Sequence, residues 1–318
     1  MKKKVIFTFF AIICIGCILF CSILCYKNIV AIQTESDLSG KEQNKEEYIY
    51  KEDLLQLGYN IKEIEIIGKK ISNIDVKNYL LTEKYKNLIT FISSPYFKAK
   101  NSSRYQEYFD RTSYTSDVCV LYVEIGIDKP FYTYINQADI SKMELILVNK
   151  YNYLLETYTP TLLELGSEYG KGSMEVNAAE AFKRMVDAAH IENINLKSVS
   201  SYRSYKEQNN LYNKYVSANG ETVTNTFSAK PGHSEHQTGY AVDINTSSTS
   251  NHFENTNEYK WLINNSYKYG FILRYPQNKE HITGYKYEPW HYRYVGIENA
   301  TRIYQENITF EEYIVKYQ

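Results

Sequence analysis

The 318-residue chain sets 36 Lys and Arg against 37 Asp and Glu, a formal net charge of -1. That balance supplies no basic footprint for nucleic acid. Only six prolines and fourteen glycines exclude a collagen-like or linker-dominated chain.

The predicted elements begin with "MKKK" and an uncharged run over residues 5–26. The run is long enough to cross a hydrocarbon core of about 30 Å as a helix. Lys2, Lys3 and Lys4 precede it, which places residues 1–4 in the cytoplasm and the remainder outside. A cleaved signal peptide would end in a small-residue A-x-A-like site, and none precedes "YKNIV". A lipoprotein site around Cys17 fits its preceding residues poorly. The expectation is a single-pass, uncleaved membrane anchor. Cys14, Cys17, Cys21 and Cys25 all fall in this run, leaving Cys119 alone elsewhere. A disulfide framework and a thiolate zinc site are thereby excluded, so a metal here must be held by His and carboxylate.

Residues 27–46 are polar, without apolar period, and read as a linker. From 47 to 144 the pattern is helical or mixed: "KEDLLQLGYNIKEIEIIGKKI" repeats apolar residues at helical spacing, broken by Gly58 into two short helices. "DVCVLYVEIGI" (117–127) alternates β-branched residues and predicts a strand. No chemistry is visible before residue 145, and 47–144 reads as a spacer or packing region. From 145 to 318 helices and strands alternate. "NAAEAFKRMVDAAHI" predicts an amphipathic helix, "INLKSVSSYRSY" a strand running into a loop, and "SYKEQNNLYNKYVSANG" a helix. "GYAVDI" predicts a strand, "NEYKWLINNSYKYGF" a helix ended by Gly270, and "EPWHYRYVG" a strand. Several strands are joined by loops, which predicts an α+β fold.

Asp243, inside the apolar "GYAVDI", demands compensation, because an unpaired buried carboxylate is costly. Catalytic zinc commonly takes three His or carboxylate ligands and keeps a fourth position for water. His236, Asp243 and His291 can supply those three, and Glu288, three residues before His291, is the natural general base. Arg203 offers a fixed positive charge for a substrate carboxylate or developing oxyanion, unless it pairs with Glu207 four residues on. His233 reads as a loop residue, Glu235 as a supporting carboxylate, His252 as solvated and His281 as structural. Trp290 reads as packing beneath the ligands.

Two motifs stand in order: Ser234, His236, Gly239, Ala241 and Asp243 match S-x-H-x-x-G-x-A-x-D, and Glu288, Trp290 and His291 match E-x-W-H. Over roughly residues 145–305 the chain resembles the VanY-type zinc D,D-carboxypeptidases, in the group that includes the VanX dipeptidases and the Hedgehog-like fold. The resemblance implies a small antiparallel sheet flanked by helices. It implies Zn2+ on His236, Asp243 and His291, Glu288 as base, and Arg203 on the substrate, with Gln208 and Ser234 as further substrate-side residues. The implied reaction removes the terminal D-alanine from peptidoglycan stem peptides at the outer face of the cell membrane. Alternatives are L,D-carboxypeptidase action on tetrapeptide stems, endopeptidase or dipeptidase action, and a zinc-binding wall module without catalysis. Retention of Glu288 and Arg203 beside the ligands weighs against the last. Nothing in the sequence fixes an oligomeric state or the stem peptide accepted.

Overall fold

The computed structural model describes residues 50–318. The expected anchor at 5–26 and linker at 27–46 lie outside the described residues. Among the described residues no helix is long and apolar enough to cross a membrane. The chain divides at 106/107 into two compact units.

The first unit is helical, with α1 (Lys51–Gln56), α2 (Ile61–Lys70) and α3 (Leu88–Ile92) around Leu54, Ile67, Leu80 and Leu88. Gly58, at φ +93, makes the expected break. Asn60 then starts α2 with a capping box: its side chain accepts from Glu63 N–H (3.1 Å) and the Glu63 carboxylate accepts from Asn60 N–H (2.7 Å).

The second unit starts well before residue 145. Asn136–Gln137 (β1) pairs in parallel with Asn152–Tyr153 (β2), so pairing runs across the expected 144/145 boundary. The segment expected as a strand at 117–127 is instead a helix, α4 (Ser116–Ile125). Cys119, Val120 and Val123 bury one helical face, Asp117 sits in the first turn, and Gly126 ends the helix at φ +100. A one-sided helical packing surface overrides the strand preference of its β-branched residues.

An antiparallel hairpin, β3 (Leu162–Glu164) and β4 (Ser173–Glu175), leads into α5 (Val176–Ile191). The main sheet is built from β5 (Leu196–Ser200), β6 (Ala241–Thr246), β7 (Phe271–Leu273) and β8 (His291–Tyr294). Its order is β5-β6-β8-β7 and every pairing is antiparallel. The period-2 alternation of strands divides its residues between two faces. Leu196, Val242, Ile244, Phe271 and Tyr292 join the core against Ala178, Ala181, Phe182, Met185 and Ala189 of α5. Asp243 and His291, out of phase with Val242 and Tyr292, turn to the opposite face. The longer helices that follow α5 are α6 (Tyr205–Asn219), α7 (Asn257–Asn265), α8 (Ile297–Glu306) and α9 (Phe310–Tyr317). The mixed α+β fold with a small antiparallel sheet is as expected.

Candidate active site

The site assembles where three chain segments meet on the free face of the sheet. The first is the loop after β5. Arg203 precedes α6, whose N-terminus is closed by the Ser204–Glu207 capping box. Glu207 is spent on Ser204, and Arg203 reaches the other way, donating to Gln208 Oε1 (2.7 Å) and Ser200 Oγ (2.9 Å). Its backbone N–H donates to His236 O at 3.1 Å. Gln208 is buried, and its amide nitrogen donates to Ala229 O at 2.7 Å. The guanidinium is therefore held from two sides.

The second segment is the turn Glu235–Thr238, which carries His236 and ends at Gly239. Gly239 has φ +77, and a Cβ there would lie 3.0 Å from both Glu175 N and Pro160 Cγ. Only glycine lets the chain reverse in this space and enter β6 with Asp243 facing inward. His236 Nδ1 lies 2.6 Å from Ser201 O. A carbonyl only accepts, so Nδ1 carries the proton and Nε2 presents its lone pair. Nε2 lies 3.4 Å from Asp243 Oδ2.

The third segment is the entry to β8. Asp243 and His291 are register partners across β6 and β8, and His291 Nδ1 lies 3.1 Å from Asp243 Oδ1. The two imidazoles meet edge-on, centroids 5.0 Å apart. One donor atom from each of His236, Asp243 and His291 falls within 4.8 Å of the other two. Tetrahedral ligands about 2.0–2.1 Å from zinc lie roughly 3.3–3.4 Å from one another, so the donors nearly have the required spacing. Asp243 Oδ1 is buried without a hydrogen-bond partner, as an atom reserved for a cation would be. Burial alone would raise the Asp243 carboxyl, but His236 and His291 outweigh it and hold it well below the usual carboxylate range. The residues fit a zinc ion.

Glu288 reaches the same point, with Oε2 at 3.6 Å from His291 Nδ1. Burial pushes its carboxyl up to about 7, with His291 pulling the other way. A carboxylate poised near neutrality takes up and returns a proton readily.

These groups open into a cavity of about 380 Å³, with Arg203, Gln208, Ser234 and Glu288 on its polar side. Leu211, Tyr215, Phe227, Tyr275 and Tyr285 form an apolar wall. Tyr285 is backed by Lys150, which is buried with Nζ 4.4 Å from the ring centroid. Trp290 also lines the cavity and is 39% exposed. It stands at the mouth instead of packing beneath the ligands, because β8 begins only at His291.

The other histidines stand apart. His233 is buried with Nδ1 2.8 Å from Asn149 O, and packs edge-on against Tyr132. His252 is exposed beside Glu254. His281 pairs with the Tyr122 hydroxyl at 3.0 Å and is not part of the cavity wall.

Behind His291 lies a charge network centred on Glu235, the expected supporting carboxylate, whose arginine partners no motif marks. Arg274 and Arg293 are fully buried and both donate to Glu235 Oε1, at 2.8 and 2.9 Å. Arg274 also grips Glu311 of α9 with two bonds, at 2.9 and 2.6 Å, while Arg293 donates to Glu144 O and Ile146 O. Burial would raise the Glu235 carboxyl, but the two guanidiniums hold it well below the usual carboxylate range. The available signal was an arginine inside each of the apolar runs "FILRY" and "HYRYV".

Comparison with known proteins agrees with this geometry. The family described as D-alanyl-D-alanine carboxypeptidase, VanY, matches residues 171–297. A D-alanyl-D-alanine carboxypeptidase of Enterococcus faecalis is 38% identical over 187 residues, covering 56% of this chain and 68% of that protein. The solved structure of the LdcB LD-carboxypeptidase is 41% identical, with a TM-score of 0.55, covering 58% of this chain and 92% of its own. VanYB in complex with D-alanine-D-alanine is 37% identical, with a TM-score of 0.50, covering 55% of this chain and 99% of its own. With the motif residues converged in space and these relatives matched over most of their length, the chain belongs to the VanY family of D-alanyl-D-alanine carboxypeptidases.

Proposed function

We propose that the protein is a zinc carboxypeptidase that removes the terminal D-alanine from peptidoglycan stem peptides ending in D-Ala-D-Ala. The observation that carries this reading is the convergence of His236, Asp243 and His291, with Glu288 3.6 Å from one ligand and Arg203 lining the same cavity. Zinc bound by the three residues supplies a Lewis acid for the scissile carbonyl and acidifies a water molecule. Glu288 accepts a proton from the attacking water and returns it to the nitrogen of the departing D-alanine, so the peptide C–N bond breaks without net proton loss. Arg203, fixed by Gln208 and Ser200, places positive charge against the substrate's terminal carboxylate or the developing oxyanion. Gln208 thus acts mainly by holding Arg203, and Ser234 lines the substrate side. Tyr215 and Phe227 give the same cavity an apolar wall for the substrate's aliphatic parts.

A second reading, L,D-carboxypeptidase action on tetrapeptide stems, is favoured by the likeness to LdcB at 41% identity. The setting we propose is the outer face of the cell membrane, with residues 5–26 as anchor. Its support is the uncharged run behind three lysines.

The test uses the full chain with zinc, given muropeptides ending in D-Ala-D-Ala or in a single D-Ala, with alanine loss followed by mass spectrometry. Loss from the pentapeptide alone supports the first reading, and loss from the tetrapeptide alone supports the second. No loss from either, with zinc bound, overturns both.

A further inference from the structure

We infer that Glu235 is the positioning residue for His291, and that Glu311 in the C-terminal helix α9 acts through Arg274 to keep it in place. The inference rests on the metal reading proposed above. Glu235 Oε1 is saturated by two arginines, whereas Oε2 is buried without a hydrogen-bond partner. His291 Nε2 is in the same condition, and the two atoms face each other at 3.6 Å. Each is the available complement of the other.

The chemistry of ligation gives this pairing its purpose. A neutral imidazole carries one N–H, and the ligating nitrogen must be the bare one. His291 Nδ1 is the atom turned to Asp243 and Glu288, so the proton belongs on Nε2. There Glu235 Oε2, 3.6 Å away, is the acceptor that faces it. A carboxylate behind a metal-bound histidine fixes both tautomer and ring orientation. His236 needs no such carboxylate, because the Ser201 carbonyl performs the service.

The carboxylate must itself be immobile and ionised. The guanidiniums of Arg274 and Arg293 ensure both, and Arg274 is clamped in turn by the two bonds it donates to Glu311. A continuous chain of short contacts therefore runs from α9 to the face of the ligand set. Its purpose is not stability alone, since buried ion pairs give little net stability against apolar replacements of similar volume.

The experiment measures zinc affinity by competition with a chromophoric chelator on full-length wild type, Glu235→Gln and Glu311→Gln. Circular dichroism establishes which samples are folded. The visible spectrum of the cobalt-substituted proteins reports ligand geometry. Glu235→Gln is expected to weaken zinc binding by about 10–100-fold and to alter the cobalt spectrum. Glu311→Gln should weaken binding in the same direction by a smaller factor. If Glu235→Gln does not fold, Glu311→Gln decides the matter. Folded variants with wild-type affinity and spectrum overturn the inference alone. A wild type that binds no zinc overturns the metal reading and this inference together.

Discussion

Asp243 and His291 sit directly opposite each other on antiparallel strands β6 and β8, with Oδ1 and Nδ1 3.1 Å apart. A strand pairing thus brings together two of the three residues proposed to hold the metal. The third, His236, arrives through a turn that only glycine can end. Backbone geometry sets the site before any substrate is present.

Removal of the metal should abolish activity and leave the fold. The core formed by α5 and the sheet lies on the face away from the ligands and involves none of them. Treatment with a strong chelator is expected to eliminate turnover with an unchanged far-ultraviolet circular dichroism spectrum, and added zinc should restore it. Asp243→Ala should remain inactive after zinc is restored.

Glu288→Gln is expected to reduce kcat by about 10²–10⁴-fold while zinc still binds. Steady-state kinetics with metal analysis checks both parts. The same variant carries a pH signature in chelator-treated protein. The folded-state pKa of Glu288 is raised to about 7, above its ordinary value, so the folded protein favours the protonated form. That preference is present at low pH and is lost as pH rises through about 7. Glu288→Gln should therefore be more thermostable than the chelated wild type at pH 8, with little difference at pH 4.

Arg203→Lys keeps the charge but cannot span both Gln208 Oε1 and Ser200 Oγ. A loss of about 10²-fold or more in kcat/KM is expected, with a melting temperature close to wild type. Gln208→Ala should show a smaller loss that is non-additive with Arg203→Lys, because both act on one guanidinium.

Gly239→Ala tests the turn. The substitution meets a left-handed φ and a contact at 3.0 Å with backbone nitrogen of Glu175. A destabilisation of about 1–3 kcal/mol is expected in denaturant unfolding, together with weakened zinc binding as His236 shifts.

What was legible in the sequence followed from local cost. Asp243 announced itself as a carboxylate in an apolar strand, and the spacing of His236, Glu288 and His291 supplied its compensation. Arg274 and Arg293 posed the same question in "FILRY" and "HYRYV", but their partners lie far along the chain, Glu311 37 residues from Arg274 and Glu235 58 from Arg293. No local pattern identifies such a partner. The misread strand at 117–127 fails for a related reason. Its β-branched residues fit either geometry, and burial on a single helical face decided between them. Trp290 followed suit: its motif position was plain, whereas its exposure depends on where β8 starts.

The chain's two tryptophans occupy contrasting surroundings. Trp261 is buried in α7 and stacks on Tyr269 at 6.2 Å, whereas Trp290 stands at the cavity mouth. The two tryptophans therefore report separate events. Emission from Trp290 is accessible to an aqueous quencher such as iodide and should become shielded when a stem peptide enters. Emission from Trp261 should resist quenching until the fold opens. With Trp261→Phe leaving Trp290 as the single tryptophan among 33 tyrosines, excitation at the red edge, where tyrosine does not absorb, follows occupancy of the site optically in real time without labelling the peptide.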